Sequence, residues 1–350
     1  MTNEEQTMKV FDSSGQVQPL GDEIARGGEG VVYPLATRPS VVVKLYHDDL
    51  LARRGAALRE KVMAMLDLRH SFKDTPVAWP AIAVFDDSGI WRGYAMRRAS
   101  GVPLSKLAHP MIYRRHVPDL NRLHVARLLT AIVRAMGSLH GSGVCLGDIN
   151  LNNFLYDHAK GAVTLIDCDS YQLTVATKTY PCLVGAPDMI PPEHHGINLA
   201  EVRRTPDSDY LSLSILIFRC LMLGRHPYDF VGGGTVVENL RRGHFPYGVG
   251  GAAPGREGSI PPGPWYLIWS HMSFELKALL IRTLQDGAID PSKRARSSEW
   301  SSSLERYAFG LTKGHHDMAL RPAAQKSASR RGGYLPGSAC PPVATARASL

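Results

Sequence analysis

The spacing of apolar residues changes along this chain and divides it into two parts. Over residues 20–98 the apolar residues come in short β-branched runs such as VVVKLY and WRGYAM, with one helical stretch at 57–68. Over residues 119–307 they recur at helical spacing, as in HVARLLTAIVRAMGSLH. The pattern therefore predicts an α+β chain, in which a small strand-rich part with one main helix precedes a larger helical part.

The composition is that of a soluble globular protein. The chain has 350 residues, of which 44% are hydrophobic and 21% are charged, so it is long enough for one large domain or two lobes. Its N-terminus is acidic and polar, unlike a signal peptide, and the longest apolar stretch, at 211–224, is too short for a membrane span. We therefore expect a cytoplasmic protein without a membrane span.

Cysteine spacing and charge distribution exclude further classes. The five cysteines are irregularly spaced and form no CxxC, which argues against a disulfide framework or a zinc site and predicts buried thiols. Five of the eight net positive charges lie within residues 313–350, which are rich in Ala, Ser, Pro and Gly. We expect this basic tail to be disordered, and we expect no specific nucleic-acid partner.

Acidic and amide side chains flank a predicted β-hairpin in the helical part. Strand-sized runs at 153–157 and 162–167 are joined by the polar link HAKG. Because Asp148 precedes the first run and Asp167 ends the second, the hairpin would bring both carboxylates and Asn153 to one edge. Such oxygens suit Mg²⁺, although turns also collect Asp and Asn for their backbone geometry.

A glycine-rich turn lies upstream, in the strand-rich part. The backbone amides of Gly27, Gly28 and Gly30 can close over phosphates, and Lys44 on the next predicted strand can reach them. Glu60 lies on the only helix predicted for this part. A glycine-rich turn alone is weak support, since tight hairpins use glycine too, but the ordered combination with the hairpin residues favours a phosphate-binding enzyme.

Taken together, these motifs resemble those of the eukaryotic-like (Hanks-type) protein kinases over roughly residues 18–308. LGDINLNN is similar to the catalytic-loop pattern H-R-D-x-x-x-x-N, DCD at 167–169 stands for D-F-G, and GAPDMIPPE resembles the segment ending in A-P-E. Asp209 resembles the family's buried helix Asp, and Arg294 resembles the arginine that pairs with the A-P-E glutamate, here Glu193. Within the family, the chain looks most like a divergent bacterial branch.

The resemblance implies a two-lobed protein-kinase-like fold. Its parts would be an N-terminal extension at 1–17, an N-lobe at 18–98, a C-lobe at 99–308 and the basic tail at 309–350. It also implies ATP and Mg²⁺ as cofactors and protein substrates, with the protein itself among them. The bacterial branch is associated with metal-dependent protein phosphatases and von Willebrand A-type proteins, which are the partners implied.

The resemblance further implies a role for each site residue. Asp148 would orient the acceptor hydroxyl, and Lys44, held by Glu60, would contact the α- and β-phosphates. Asn153 and Asp167 would hold the metal. The adenine would lie near residues 94–99, and the nucleotide would contact Ala25, Gly27, Gly28, Gly30, Val32, Lys44 and Met96.

Several family residues are replaced. Ala25 stands for the first loop glycine, Leu146 and Gly147 stand for the His and Arg of H-R-D, and D-F-G has become DCD. Asn150 and Ala186 replace a Lys and a Thr that contact each other in typical Ser/Thr kinases. Three interpretations follow: a kinase of protein hydroxyls with Ser/Thr favoured, a pseudokinase that binds nucleotide or a partner, and a small-molecule kinase.

The glycine at position 147 carries a further expectation. In the family, kinases switched by phosphorylation of the segment between Asp167 and Glu193 usually keep the H-R-D arginine, which binds the added phosphate. We therefore expect activity without such phosphorylation, unless another base such as Lys178 or Arg59 substitutes for the arginine.

Overall fold

The computed structural model describes residues 8–323. Its N-terminal part is a seven-stranded antiparallel sheet with the strand order β2-β1-β6-β7-β5-β4-β3, accompanied by a long helix. In chain order these elements are β1 (Lys9–Phe11), β2 (Val17–Pro19), β3 (Ala25–Arg26), β4 (Gly30–Pro34), β5 (Val41–Tyr46), α1 (Asp48–Asp67), β6 (Pro80–Phe85) and β7 (Trp91–Arg97).

The alternation of side chains along β5 decides what faces helix α1. Val42 and Tyr46 join the apolar cluster formed with Leu58 and Val62 of α1, whereas Val43 packs in a second cluster on the opposite face. Successive strand residues point to opposite faces of a sheet, and alternate residues share a face. Lys44, which lies two residues from both Val42 and Tyr46, therefore also faces α1.

The C-terminal part is mainly helical and carries two small three-stranded sheets. Its elements are β8 (Val102–Pro103), α2 (Leu104–Leu107), α3 (Tyr113–His116), α4 (Arg122–Gly141), β9 (Val144–Cys145), β10 (Phe154–Asp157), β11 (Ala162–Leu165), β12 (Gln172–Val175), β13 (Lys178–Tyr180), α5 (Pro206–Leu221), α6 (Val236–Arg241), α7 (Trp265–Ser270), α8 (Phe274–Ile281), α9 (Gly287–Ile289) and α10 (Ser297–Thr312). A π-helical turn, Arg282–Asp286, connects α8 to α9.

Helices α4, α5 and α10 form the core of this part. Leu129, Ile132 and Met136 of α4 recur at helical spacing and are fully buried, each stabilising the fold by roughly 1.5–3 kcal/mol. Helix α5 is buried almost all round, and it begins at a capping box in which Thr205 and Ser208 satisfy each other's backbone N–H groups. The core therefore surrounds α5 and supports the loops at its N-terminal end.

The hairpin β10–β11 lies where the two parts meet. The N–H of Leu165 donates to the carbonyl of Pro76, and the N–H of Ala78 donates to the carbonyl of Leu165, both at 2.8 Å. The end of β11, which lies two residues before Asp167, is therefore held against the segment that leads into β6.

The main features predicted from the sequence are confirmed, with corrections to the boundaries. The chain is α+β, and the runs at 153–157 and 162–167 pair as an antiparallel hairpin. The helix predicted at 57–68 begins earlier, at Asp48, because its first turns continue without a break from β5. In residues 8–323, all four cysteines are buried free thiols; Cys340 lies outside the described residues.

The outer domain boundaries also shift. The predicted extension at 1–17 contributes β1, which pairs with β2 and β6. Helix α10 continues past the predicted boundary at 308 to Thr312, and Leu320 is buried, so the predicted tail starts later than 309. The rest of the predicted tail, 324–350, lies outside the described residues, and the division into lobes stays a prediction.

No helix in the described part of the chain is both long enough and apolar enough to cross a membrane.

Two glycines should respond to alanine with opposite signs. At Gly101 φ is +117°, and an added Cβ would lie 2.3 Å from the backbone of Tyr156, so Gly101→Ala should lower the free energy of unfolding by more than about 2 kcal/mol. Gly55 lies inside α1 with only ordinary contacts, so Gly55→Ala should raise it by roughly 0.5–1 kcal/mol. Urea denaturation measures both, and an unchanged Gly101→Ala would contradict the close approach.

Candidate active site

A cavity of about 600 Å³ lies between the sheet and the helical part. It is lined by the glycine-rich turn between β3 and β4, by β5 and β7, and by the loops around the β10–β11 hairpin. The structure brings every predicted site residue except Glu60 to this cavity, namely Ala25, Gly27, Gly28, Gly30, Val32, Lys44, Met96, Asp148, Asn153 and Asp167.

The two ends of the cavity differ in chemistry. One end is apolar and takes side chains from both parts of the chain, close to residues 97–99, so it suits a flat aromatic ring. The other end is polar and contains Lys44, Asp148, Asn153 and Asp167, and the cavity is also lined by the polar residues Glu29, Asn152 and Ser170. The apolar lining consists of Val32, Val42, Ala78, Met96, Leu155 and Ile166.

The glycine-rich turn covers the polar end. The N–H of Gly27 donates to the carbonyl of Gly30 at 2.9 Å and closes the turn. A Cβ at Gly30 would lie 2.3 Å from the carbonyl oxygen of Leu45, so this strand pairing requires glycine. Glu29 lies between these glycines, 4.0 Å from the amine of Lys44, and burial raises the pKa of its carboxyl.

Lys44 contacts two carboxylates at once. Its Nζ lies 2.8 Å from Asp167 Oδ1 and 2.9 and 2.8 Å from the two oxygens of Asp169. Burial on its own would lower the pKa of Lys44, but the carboxylates of Asp169 and Asp167 raise it above its ordinary value. The lysine therefore stays charged in this buried position.

Asp169 is the most buried acid of the site and is fully hydrogen-bonded. The hydroxyls of Tyr46 and Tyr94 donate to it at 2.6 and 2.9 Å, in addition to the contacts from Lys44. Burial would raise the pKa of this carboxyl, but the charge of Lys44 and these hydrogen bonds hold it below its ordinary value. The sequence shows Asp169 only as a departure from D-F-G, so its contacts are a finding of the structure.

Glu60 does not hold Lys44, and that prediction is wrong. Its carboxylate is about half exposed and pairs with Lys178 instead. The reason is the phase of helix α1, because the neighbouring Lys61 points inward and donates to the carbonyl of Pro181 at 3.2 Å. The buried residues on this stretch of α1 are Leu58, Lys61, Val62 and Met65.

Asp148 is positioned by two amides. The side chain of Asn150 donates to its Oδ2 at 3.0 Å, and the side chain of Asn153 donates to its backbone oxygen at 3.1 Å and to Oδ2 at 3.3 Å. Burial raises the pKa of Asp148, Asn153 opposes this shift, and the nearby charge of Asp167 adds to it. One carboxylate oxygen, Oδ1, receives no hydrogen bond from residues 8–323.

Asn153 and Asp167 fit a divalent cation. Among residues 8–323 no donor is bonded to Asn153 Oδ1 or Asp167 Oδ2, so a carboxylate oxygen and an amide oxygen remain for a hard metal ion. Asp167 has φ +61° and ψ +37°, a left-handed conformation that costs a non-glycine residue roughly 1 kcal/mol and is concentrated at functional sites. The hydroxyl of Ser170 stabilises this conformation by donating to the backbone carbonyl of Asp167 at 2.8 Å.

Two features implied by the family resemblance are confirmed, the burial of Asp209 and the pairing of Arg294 with Glu193. Buried Asp209 accepts hydrogen bonds from the backbone N–H groups of Leu146 and Gly147 at 2.7 and 2.9 Å, and so holds the loop before Asp148 against α5. Arg294 donates to both carboxylate oxygens of Glu193 at 2.6 and 2.9 Å.

The segment from 167 to 193 is anchored by residues that the sequence analysis missed. Arg204 donates to the carbonyl of Val184 at 3.2 Å, and its backbone exchanges two hydrogen bonds with the side chain of Gln172. A Cβ at Gly147 would lie 2.7 Å from Cys182 Sγ, so the place next to this glycine is already filled by the segment itself. No short-range pattern marks Arg204, because its partners are distant in sequence.

Comparison with known proteins finds two curated proteins that are similar to most of this chain. Two relatives that match most of the chain are both named protein kinase YegI. The protein from Escherichia coli strain K12 is 28% identical over 317 residues, or 87% of this chain, and the protein from E. coli O157:H7 is 26% identical over 307 residues, or 85%. The similarity suggests a divergent bacterial kinase-like family.

The similarity covers only part of the two relatives. The chain spans about half the length of these curated relatives, 47% and 46%. No protein-family model matches the chain.

The Glu193–Arg294 pair, whose guanidinium is buried, and the exposed Glu60–Lys178 pair should contribute differently to the free energy of unfolding. Glu193→Gln leaves the fully buried guanidinium of Arg294 without its counter-charge and should lower the free energy of unfolding by about 2 kcal/mol at pH 7. Glu60→Gln, in an exposed pair, should leave it unchanged within error. Urea denaturation gives both values.

The effect of Glu193→Gln should also depend on pH. The pairing with Arg294 lowers the pKa of Glu193 below its ordinary value of 4.5, although burial opposes the shift. Its contribution is therefore present above pH 4.5 and lost as the pH falls through the folded-state pKa. Equal destabilisation at pH 7 and at pH 3 would contradict this assignment.

Proposed function

We propose that this chain is an ATP- and Mg²⁺-dependent protein kinase with a two-lobed kinase-like fold, which transfers the γ-phosphoryl group to a protein hydroxyl. The observation that carries the proposal is the convergence of Lys44, Asp148, Asn153 and Asp167 at the polar end of one cavity whose other end is apolar. The kinase names of the relatives support it. Serine or threonine is favoured as acceptor by family resemblance.

The two ends of the cavity suit the two ends of ATP. The apolar side chains would hold the adenine close to residues 97–99, and the glycine-rich turn would hold the phosphates. There Lys44 binds phosphate oxygens and neutralises their charge. Because the transition state of phosphoryl transfer is loose and anionic, positioning and charge neutralisation account for most of the catalysis.

The remaining polar residues divide between metal and acceptor. Asn153 Oδ1 and Asp167 Oδ2 would hold Mg²⁺, which supplies positive charge next to the phosphates. Asp148 orients the acceptor hydroxyl and accepts its proton through Oδ1, the oxygen to which neither Asn150 nor Asn153 donates.

Two other functions have specific support. A pseudokinase that binds nucleotide or a partner is favoured by the loss of the family residues at Gly147 and Asp169. A small-molecule kinase is favoured by Asn150 and Ala186, because the loss of the family pair that they replace puts the identity of the phosphoryl acceptor in question. Protein partners, with a metal-dependent phosphatase or a von Willebrand A-type protein among them, belong to the same proposal.

The test is transfer from γ-labelled ATP with Mg²⁺ to casein, histone and the protein itself. We expect Asp148→Asn to lower the rate by more than about 100-fold with nearly unchanged ATP affinity, because Asp148 contacts the acceptor. Asp167→Ala should also weaken Mg²⁺-dependent ATP binding, measured by thermal shift. Asp67→Asn, at the exposed end of α1, is the matched control.

Each alternative gives a different result in this assay. ATP binding without transfer to any acceptor would favour the pseudokinase. Transfer of the label only to small hydroxyl compounds, with release of ADP, would favour the small-molecule kinase. Complete loss of ATP binding in both Asp148→Asn and Asp167→Ala would contradict the division of roles.

The segment from 167 to 193 should not require phosphorylation for activity. Its position is held by Lys61 and Arg204 without a phosphate, and Lys178, one candidate for the missing arginine, is paired with Glu60. We expect phosphatase-treated protein, untreated protein and a variant lacking five of the segment's hydroxyls to transfer at rates within about threefold. The variant carries Val at Thr174, Thr177 and Thr179 and Phe at Tyr171 and Tyr180.

Ser170 stays in that variant because its hydroxyl supports Asp167. A rate more than tenfold higher for the phosphorylated protein, about 1.4 kcal/mol of transition-state stabilisation, would show that a phosphate switch operates.

A further inference from the structure

We propose that Asp169 is the positioning residue that holds Lys44 for phosphoryl transfer, in place of a carboxylate on helix α1. The inference rests on the proposed function, since it concerns how the lysine of that site is kept at the phosphates. It changes which element of the fold controls the lysine.

The first argument is the number and quality of the contacts. Both oxygens of Asp169 accept a hydrogen bond from the amine of Lys44, and one hydroxyl donates to each oxygen, from Tyr94 to Oδ1 and from Tyr46 to Oδ2. The Asp169 side chain is only 1% exposed. A carboxylate with four charge-assisted or hydroxyl hydrogen bonds in a buried place has little freedom to move.

The second argument is that all partners of Asp169 belong to the sheet. Lys44 and Tyr46 are two residues apart on β5 and so face the same side, and Tyr94 on β7 is directly opposite Lys44 in the strand register. Asp169 thus joins the turn after β11 to two adjacent central strands. The lysine is positioned by the sheet and this turn together.

The third argument is that the acids of α1 are engaged elsewhere or exposed. Within the described chain, Asp48 pairs with Arg92, Asp49 pairs with Arg53, and Glu60 pairs with a lysine of β13. The last acid of the helix, Asp67, is exposed, and the α1 residues that line a small cavity together with Asp169 are Arg54, Ala57, Leu58 and Lys61, none of them an acid. No carboxylate of this helix reaches Lys44.

The fourth argument separates Asp169 from Asp167. An ammonium group has three N–H donors, of which Lys44 gives two to Asp169 and one to Asp167. The Asp167 side chain is 42% exposed in the cavity and is the proposed metal ligand, whereas Asp169 is closed off from it. A phosphate oxygen can therefore replace Asp167 at the third donor while Asp169 keeps the other two.

The experiment is a double-mutant cycle on full-length protein. The rate of transfer from saturating MgATP to casein is measured for wild type, Asp169→Asn, Lys44→Met and the double variant. We expect Asp169→Asn to lower kcat by about 100-fold, because Lys44 then loses the charge of its buried carboxylate partner and one of the two acceptor oxygens that hold it. Since Asp169 acts through Lys44, the double variant should be no slower than Lys44→Met, whereas an independent structural role would multiply the two losses.

A second variant guards against misfolding. Tyr46→Phe combined with Tyr94→Phe keeps the ion pair but removes both hydroxyl donors, and should lower kcat about tenfold while the KM for ATP changes less than about threefold. The helix alternative is tested by Glu60→Gln, for which we expect a rate within about threefold of wild type, and Asp67→Asn serves as the surface control within about twofold.

The outcomes separate this inference from the proposed function. Wild-type protein that binds ATP but transfers to no acceptor would overturn both. If the wild type transfers phosphate, three results would overturn only the positioning role of Asp169. These are multiplied losses in the double-mutant cycle, a wild-type rate in the two-tyrosine variant, and a loss in Glu60→Gln as large as that in Asp169→Asn.

Discussion

The site depends on one buried ion pair, between Lys44 of the sheet and Asp169 of the turn after β11. A charge removed from water is costly unless it is paired and hydrogen-bonded, and here every oxygen and N–H of the pair has a partner. The pair also joins the two parts of the chain at the end of the cavity where phosphates are proposed to bind. The geometry of the other residues at this end of the cavity therefore depends on the rigidity of the ion pair.

A second buried carboxylate supports the other side of the same cavity. Asp209 receives the backbone N–H groups of Leu146 and Gly147 and so fixes the loop that presents Asp148. In both places a fully satisfied aspartate, itself removed from the reacting groups, orients a residue that faces the cavity. Glu60, whose carboxylate is about half exposed, contributes a surface contact with Lys178 instead.

Residue spacing predicted the elements and most of the site, but not the contacts between distant strands. The hairpin and the order of Lys44, Asp148, Asn153 and Asp167 were readable because strand alternation and motif spacing are local properties. The error at Glu60 was avoidable, since Leu58, Val62 and Met65 are spaced as the inner face of a helix and place Glu60 off that face. The cluster around Asp169 could not be predicted from the sequence, because it depends on the strand register that places Tyr94 opposite Lys44.

The short turn Cys168–Ser170 has a thermodynamic consequence. The turn begins directly after Asp167 and contains Asp169, and Lys44 bridges the two carboxylates. The proposed metal ligand, Asp167, and the residue that holds the phosphate-binding lysine, Asp169, therefore lie within three residues of backbone. A cation at Asp167 would release one lysine donor for a phosphate, and a phosphate on the lysine would release the carboxylate for the cation. Metal and nucleotide affinity in such a site are reciprocal: each ligand strengthens the other by the same factor.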